Sequence, residues 1–287
     1  MSAGIHGTEY PGIKAAQIIS RKYEPEDIQG TLLVLHCANV PMFNAKTAFV
    51  NPIDGLNFNR IFPGDPKSTG FYGPGSISHH ITNYIYENLM LKSTHYLDLH
   101  GGDLTEFCPF FSISFKSGDD EIDKVTKKML RYTLADYIEL RPRSQSLTTI
   151  STASRNNIPN TLIESGGAGL LTNQFVERHV SGIENIMKYI GLLEGSPKEP
   201  AKQTKLDGTR AGVRAKRGGF FTSYVEAGEE VKKEQKIGEI TNAFGEEMQS
   251  IIAPMTGIIT IINFLSAKNV GDPLFDIAGI SEKQGAS

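Results

Sequence analysis

The segment GIHGTEYPG, residues 4–12, decides how the chain folds at its start and which chemistry it can carry. Its polar residues His6 and Glu9 are three positions apart, at the end of an expected strand. Pro11 follows at a position typical of the first turn of a helix, where the amide hydrogen that proline lacks has no helical partner. The segment therefore predicts a strand, a tight turn that carries two polar side chains, and a helix.

Outward from this segment, the sequence up to about residue 195 alternates short β-branched runs with stretches of helical periodicity. This alternation is typical of an α/β layered domain. The helix at the end of the region has the clearest pattern, because its apolar residues recur at three to four residue spacing and Gly195 stands where a helix would stop. We expect strands at 31–36, 95–100, 110–115 and 160–165, and helices at 11–22, 76–91, 119–140 and 173–193.

The composition changes after residue 195. Residues 196–207 begin with SPKEPAKQTK, a polar stretch with two prolines and no periodicity, which is typical of a linker. Residues 208–287 contain short strand-like runs broken by glycine and charged turns. The predicted organisation is therefore an α/β domain at 1–195, a linker at 196–207 and a small all-β, barrel-like domain at 208–287.

The charge balance excludes some classes of partner. The chain has 29 basic and 32 acidic residues and a formal net charge of -3, which provides no field for nucleic acid or an anionic membrane. Small molecules or peptides are the expected partners. The only cysteines, Cys37 and Cys108, cannot form a disulfide framework, and no apolar run approaches the roughly 20 residues of a membrane span. A cytoplasmic location is expected.

A metal site is one interpretation of His6 and Glu9. A third ligand is needed, and catalytic zinc often has two histidines and one glutamate. The segment LDLHGG, residues 97–102, offers His100 at a strand end, where α/β sheets commonly present functional groups. Asp98 shares the same face of a regular strand and is a candidate partner for a ligand. On its own, a pair spaced as H-x-x-E is more often a solvated turn.

Four ordered segments together resemble the succinylglutamate desuccinylase and aspartoacylase family, a branch of the zinc carboxypeptidases: GIHGTEYPG (4–12), NPIDGLNFNRIFPG (51–64), LDLHGG (97–102) and TLIESGG (161–167). The resemblance covers residues 3 to about 195. It implies an α/β fold with a mixed-sheet, zinc carboxypeptidase-like catalytic domain. It also implies zinc ligands at His6, Glu9 and His100, substrate-carboxylate binding by Asn59 and Arg60, and a general base at Glu164.

The implied reaction is zinc-dependent hydrolysis of an amide bond in an N-acylated amino acid or a similar small carboxylate. Bound zinc would acidify water and polarise the carbonyl under attack, and Glu164 would move the proton from water to the departing amine. The planar guanidinium of Arg60 can bind a carboxylate through two hydrogen bonds, and a surface salt bridge is the alternative. Two other functions stay open: a metallocarboxypeptidase acting on peptide ends, and a non-catalytic binding protein with a truncated sheet.

Two features depart from the family pattern. Residues 46–55, KTAFVNPIDG, lack the arginine that carboxypeptidase relatives usually place before N-x-N-R to stabilise the oxyanion. Met1 stands only five residues before His6, whereas strands normally precede the first ligand strand in such a sheet. We therefore expect that N-terminal strands are missing and that the coding region extends upstream. An exposed sheet edge would favour a homo-oligomer.

The C-terminal region resembles the biotinyl or lipoyl carrier fold, a small barrel of glycine-punctuated strands. Carriers attach their cofactor to a lysine at a hairpin tip, but the matching stretch TNAFGEEMQ, residues 241–249, contains no lysine. A packing or lid domain that shapes the mouth of an active site is therefore the better interpretation.

Overall fold

The computed structural model describes residues 1–67, 69–70 and 73–281, and within them nine strands form one mixed sheet. The helices α1–α6 are, in order, Tyr10–Lys22, Val40–Ala45, Ile77–Ile85, Asp120–Tyr132, Thr149–Arg155 and Asn173–Tyr189. The strands β1–β15 are Ser2–Ala3, Thr69–Gly70, Gly73–Pro74, Tyr96–His100, Glu106–Phe115, Tyr137–Arg141, Asn160–Gly167, Thr204–Arg214, Gly219–Ser223, Glu230–Val231, Lys236–Thr241, Glu247–Ile252, Gly257–Asn263, Ala267–Lys268 and Pro273–Ile280.

The large sheet has the strand order β1–β4–β7–β5–β6–β8–β15–β13–β10. Strands β1, β4 and β7 are parallel, whereas β5 runs antiparallel to β7 and parallel to β6. This arrangement confirms the predicted mixed α/β fold. Strand β13 pairs with both β15 and β5, so the second half of the sheet curls into a partial barrel.

Helices cover both faces of the parallel strands, as expected for layers that each bury one apolar side. Helices α1, α4 and α6 pack on one face and bury Ile19, Leu130 and Ile183 in the same cluster. Helices α3 and α5 pack on the other face, where Ile85 and Ala153 belong to a separate cluster. Among the described residues, every helix is too short or too polar to cross a lipid bilayer.

Several secondary-structure predictions are confirmed. The strands predicted at 95–100, 110–115 and 160–165 are observed as β4, β5 and β7, and the helices predicted at 11–22 and 173–193 as α1 and α6. The helix predicted at 76–91 is observed as α3 followed by a wider π-helical turn at Tyr86–Met90.

Two predictions are wrong in part. Residues 31–36 do not form a strand and contribute only an isolated bridge from Leu35 to Ser2, because the neighbouring strand β1 has just two residues. The helix predicted at 119–140 ends at Tyr132. Leu134 has a positive φ of 62°, which reverses the chain so that it returns to the sheet as β6.

The C-terminal region is joined to the large sheet. Strand β8 begins at Thr204, inside the range 196–207 predicted as a linker, and runs parallel to β6. A second sheet with the order β12–β11–β9–β14 contributes Phe221 and Ile240 to a cluster shared with Ile259 of β13 and Leu274 of β15. Residues 282–287 of the predicted β domain lie outside the described residues. The division into a catalytic domain at 1–195 and a β domain at 208–287 stays a prediction.

The parallel strands bring the predicted site residues to one edge of the sheet. Ser2 of β1 is level with Asp98 of β4, and the chain leaves β1 directly into the turn that carries the first polar pair. His100, the last residue of β4, is level with Glu164 of β7. Carboxyl ends of neighbouring parallel strands are where α/β sheets place their binding sites.

Candidate active site

Small residues allow the turn after β1 to sit tightly against its neighbours. A side-chain carbon at Gly7 would lie 2.4 Å from the backbone nitrogen of Phe43, and one at Gly12 would lie 2.9 Å from the carbonyl oxygen of Leu99. The first glycine therefore lets the turn approach α2, and the second lets α1 approach β4. This close packing explains two of the three glycines of GIHGTEYPG, Gly7 and Gly12, and fixes the backbone that carries the polar pair.

The side chains of His6, Glu9 and His100 meet in a buried cluster. Glu9 lies between the two imidazoles, with Oε1 2.8 Å from His6 Nδ1 and Oε2 2.8 Å from His100 Nδ1. One ligand atom from each residue lies within 4.8 Å of the others. The structure therefore brings together the three residues predicted as metal ligands.

Each imidazole has an oxygen acceptor at Nε2, the nitrogen that does not face Glu9. His6 Nε2 is 3.1 Å from Asn57 Oδ1, and His100 Nε2 is 2.9 Å from Asp98 Oδ2. A neutral ring carries one hydrogen, so a ring that donates from Nε2 to its acceptor has a lone pair at Nδ1 that can bind a metal ion. The contact between Asp98 and His100 agrees with the strand alternation predicted from the sequence.

With both rings neutral and the hydrogen on Nε2, acceptor atoms face one another at the centre of the cluster. Two Nδ1 lone pairs and both carboxylate oxygens of Glu9 converge there, and Glu9 Oε2 is buried without a well-formed hydrogen bond. Buried acceptors without donors are costly, and a cation satisfies them. Two imidazoles and one carboxylate are a donor set suited to zinc. The residues present therefore fit a zinc ion.

The pKa values of the cluster express the same need for positive charge. Burial opposes the ionisation of Glu9, but His100 and His6 outweigh it and lower its pKa to about 2. Burial also opposes protonation of His100, but the charges of Glu9 and Asp98 raise its pKa well above the ordinary value. In the metal-free protein, a proton thus stands where a metal cation fits.

Glu164, the predicted base, lies beside this cluster on the adjacent strand β7, level with His100. Its side chain is half-buried, and its Oε2 is 3.9 Å from the Sγ of Cys108. Burial, followed by the negative charge of Glu9, raises the pKa of Glu164 well above its ordinary value. A raised proton affinity suits a group that must take up and then release a proton.

The predicted substrate-binding residues occupy a short 3-10 turn at Phe58–Arg60. Asn59 is buried and accepts a hydrogen bond from the backbone nitrogen of Thr149 at 2.9 Å. Arg60 is exposed and donates from Nη1 to the carbonyl oxygen of Asn59 at 2.8 Å. No salt bridge to Arg60 occurs among the described residues, so the surface salt bridge considered as its alternative is not observed there. Asn57, which begins the turn, touches His6 and so places the turn next to the cluster.

Residues 46–55, the segment without an arginine, contact the cluster through the aromatic ring of Phe49. Phe49 packs edge-on against His6, with ring centroids 6.1 Å apart, and its backbone nitrogen donates to Asp103 Oδ2 at 2.7 Å. This segment therefore places no arginine beside the cluster to stabilise an oxyanion, as its sequence predicts. The sequence does not predict the contacts of Asn57 and Thr149, because nothing in their local spacing points to the residues they touch.

Comparison with known proteins connects this geometry to a family. Residues 1–190 match the model of the succinylglutamate desuccinylase/aspartoacylase catalytic domain. The chain belongs to that family. The matched region contains all the residues predicted for the site: His6, Glu9, Asn59, Arg60, His100 and Glu164.

Relatives of this family member span most of its length. The N-alpha-acetyl-L-2,4-diaminobutyric acid deacetylase of Halomonas elongata is 28% identical over 295 residues, which cover 99% of this chain and 83% of that protein. The product-bound ectoine utilization protein EutE (DoeB) of Ruegeria pomeroyi has a TM-score of 0.88 at 20% identity, over 97% of this chain and 84% of that one. A succinylglutamate desuccinylase/aspartoacylase from Rhodobacter sphaeroides has a TM-score of 0.86 at 23% identity, over 98% and 85%. The structures support the fold, and the family supports deacylase activity.

Proposed function

We propose that this member of the family is a zinc-dependent deacylase that hydrolyses the amide bond of an N-acylated amino acid or a similar small carboxylate. The observation that carries the proposal is the cluster of converging acceptors from His6, Glu9 and His100, with Glu164 level with His100 on the adjacent strand. The Halomonas elongata relative supports it, because its name gives an N-acetylated amino acid as the substrate.

The proposed chemistry divides the work between the metal and the chain. When bound, zinc lowers the pKa of water and polarises the carbonyl group under attack. Glu164 accepts the proton of the attacking water and then donates it to the departing amine, as a general base and acid close to the reacting atoms can do. The raised pKa of Glu164 favours the first of these steps, the uptake of the proton.

Substrate orientation is assigned to the turn at Phe58–Arg60. The guanidinium of Arg60 binds the free carboxylate of the substrate with two parallel hydrogen bonds. Asn59 can donate from Nδ2 to the same carboxylate, since its Oδ1 is already engaged by the backbone of Thr149. Both residues follow Asn57, which touches His6. A carboxylate bound here is therefore held close to the cluster of candidate metal ligands.

The proposal includes a carboxypeptidase-like catalytic domain whose site mouth is shaped by the C-terminal strands. The end of β13 pairs with β5, with Asn263 level with Glu106. The next residue, Phe264, donates its backbone N–H to the carbonyl oxygen of Thr105 at 3.1 Å. Thr105 belongs to the loop that leaves the strand of His100, so the C-terminal strands lie against a wall of the proposed site.

The first test is metal content. We expect about one equivalent of zinc per chain after purification without chelators, because a buried cluster of two imidazoles and a carboxylate suits zinc better than magnesium or calcium. Elemental analysis measures it, and a panel of N-acyl amino acids and peptides then separates deacylation from carboxypeptidase activity. Less than about a tenth of an equivalent of any transition metal after refolding with zinc would contradict the proposal.

The role of Arg60 is tested by Arg60→Lys. A lysine keeps the charge but cannot form two parallel hydrogen bonds with a carboxylate, so kcat/KM should fall by about 10- to 100-fold, as expected for losing a charge-assisted hydrogen bond. The measurement compares a substrate with a free carboxylate and its amidated analogue, and only the first should lose activity. Arg217→Lys, at an exposed position in the C-terminal region, is the matched control. Unchanged kcat/KM on the free carboxylate would remove Arg60 from the site.

A further inference from the structure

Thr149, the first residue of α5, touches both halves of the proposed site. It is fully buried, and its hydroxyl donates to Asp98 Oδ2 at 2.5 Å. Its backbone nitrogen donates to Asn59 Oδ1 at 2.9 Å. Through these two partners, Thr149 is connected to the candidate metal ligand His100 and to the candidate carboxylate-binding turn.

The hydroxyl of Thr149 is not needed to cap its own helix. Thr148 is the N-cap residue of α5, and its side chain accepts from the backbone nitrogen of Ser151 at 3.3 Å. An N-cap side chain satisfies amide groups that the first turn leaves unpaired. Since Thr148 already provides this oxygen, the Thr149 hydroxyl is free to serve Asp98.

On the metal side, Thr149 fixes the carboxylate that holds His100. Asp98 Oδ2 accepts from both the Thr149 hydroxyl and His100 Nε2, and Asp98 Oδ1 accepts from the Ser2 hydroxyl at 2.6 Å. Donors on both oxygens prevent the carboxylate from rotating. A fixed carboxylate in turn fixes the plane of the His100 ring and keeps its Nδ1 directed at Glu9.

On the substrate side, Thr149 decides which end of the Asn59 amide is available. Its N–H group occupies Asn59 Oδ1, so the amide cannot turn over without losing that bond. Asn59 Nδ2 donates no hydrogen bond to any of the described residues. The two hydrogens on Nδ2 therefore stay available to an acceptor such as a carboxylate.

We propose that Thr149 is a positioning residue that orients the metal ligand His100 through Asp98 and the substrate-binding amide of Asn59 through its own backbone. The proposal rests on the proposed function and deepens it, since one residue then aligns the metal with the carboxylate-binding turn. The hydroxyl makes the short contact with Asp98 and lies 3.4 Å from Asn59 Oδ1, whereas the backbone nitrogen makes the 2.9 Å bond to Asn59. Substitution of the side chain therefore removes the Asp98 contact and keeps the backbone bond. Valine has the shape of threonine without the donor, and serine keeps the donor without the methyl group.

Two measurements test the proposal: the affinity for zinc and the hydrogen exchange of the His100 ring. Thr149→Val should weaken zinc binding by about 10-fold, the lower end of the range found when the direct partner of a metal-bound histidine is lost, because Asp98 itself remains. Thr149→Ser should keep near wild-type affinity. KM for the carboxylate substrate should change little in both variants, because the backbone contact with Asn59 remains. Thr152→Val, which removes a buried hydroxyl from the same helix without touching Asp98 or Asn59, is the matched control.

A second readout needs no metal. In nitrogen-15 NMR of the metal-free protein, the Nε2–H of His100 should be protected from exchange in wild type, Thr149→Ser and Thr152→Val, and should exchange faster in Thr149→Val. If exchange is faster only in Thr149→Val but the wild type binds no zinc, the proposed function is wrong while the positioning role of Thr149 stands. If Thr149→Val matches the wild type in both zinc affinity and exchange, the positioning role is wrong.

Discussion

Glu9→Gln should abolish tight zinc binding and reduce kcat/KM by about 1,000-fold or more, beyond the 10- to 100-fold typical of losing a partner behind a ligand. Glu9 is the one anionic member of the cluster, and each of its oxygens faces a different histidine at 2.8 Å. Glutamine has nearly the same shape but carries no charge, and its amide can present only one oxygen. The variant therefore removes the negative charge that a divalent cation requires while leaving both imidazoles in place.

The measurement combines elemental analysis, a chelator competition and kinetics on one preparation of Glu9→Gln. The fold should persist, since the metal-free wild type already buries these groups together. Glu184→Gln, which removes a carboxylate that pairs with Lys22 at the surface, is the control and should keep both zinc and activity. A Glu9→Gln protein that holds a full equivalent of zinc with undiminished turnover would show that this cluster is not the metal site.

The fold could be predicted where local pattern and final structure agree. The amphipathic pattern of 173–193 and the proline after Glu9 place α6 and α1 correctly. Residues 31–36 have the composition of a strand but no partner long enough to pair with, which only the tertiary structure decides. Leu134 ends a helical pattern without glycine or proline, so the sequence carries no stop signal there.

For the candidate site, the sequence predicts side chains that share a motif or a strand. His6 and Glu9 are three residues apart, and strand alternation brings Asp98 and His100 to one face. The groups that orient them are distant in sequence. Asn57 is 51 residues from His6, and Thr149 is 90 residues from Asn59. Spacing alone cannot reveal such contacts, because they depend on how α5 and the turn at Phe58–Arg60 pack over the ends of the strands.

Glu164→Gln should lower kcat by roughly 100- to 10,000-fold, the range expected when general-base catalysis is lost. The amide fills the space of the carboxylate but cannot accept the proton of the attacking water. KM and zinc content should change much less, because Glu164 is not one of the clustered ligand residues. Glu164→Asp, which keeps a carboxylate but withdraws it by one carbon, should retain more activity than the glutamine variant.

The alternative role for Glu164, a buried structural acid, predicts the opposite stability change. Burial and the charge of Glu9 raise its pKa well above the unfolded value, so the fold loses stability as pH rises from the ordinary pKa of a glutamate to the raised pKa of Glu164 in the folded protein. At neutral pH, the neutral glutamine should therefore leave the melting temperature of the metal-free protein unchanged or raise it. A structural acid would instead give a lower melting temperature with normal specific activity of the folded fraction. A folded, zinc-replete Glu164→Gln protein with wild-type kcat would exclude Glu164 as the base.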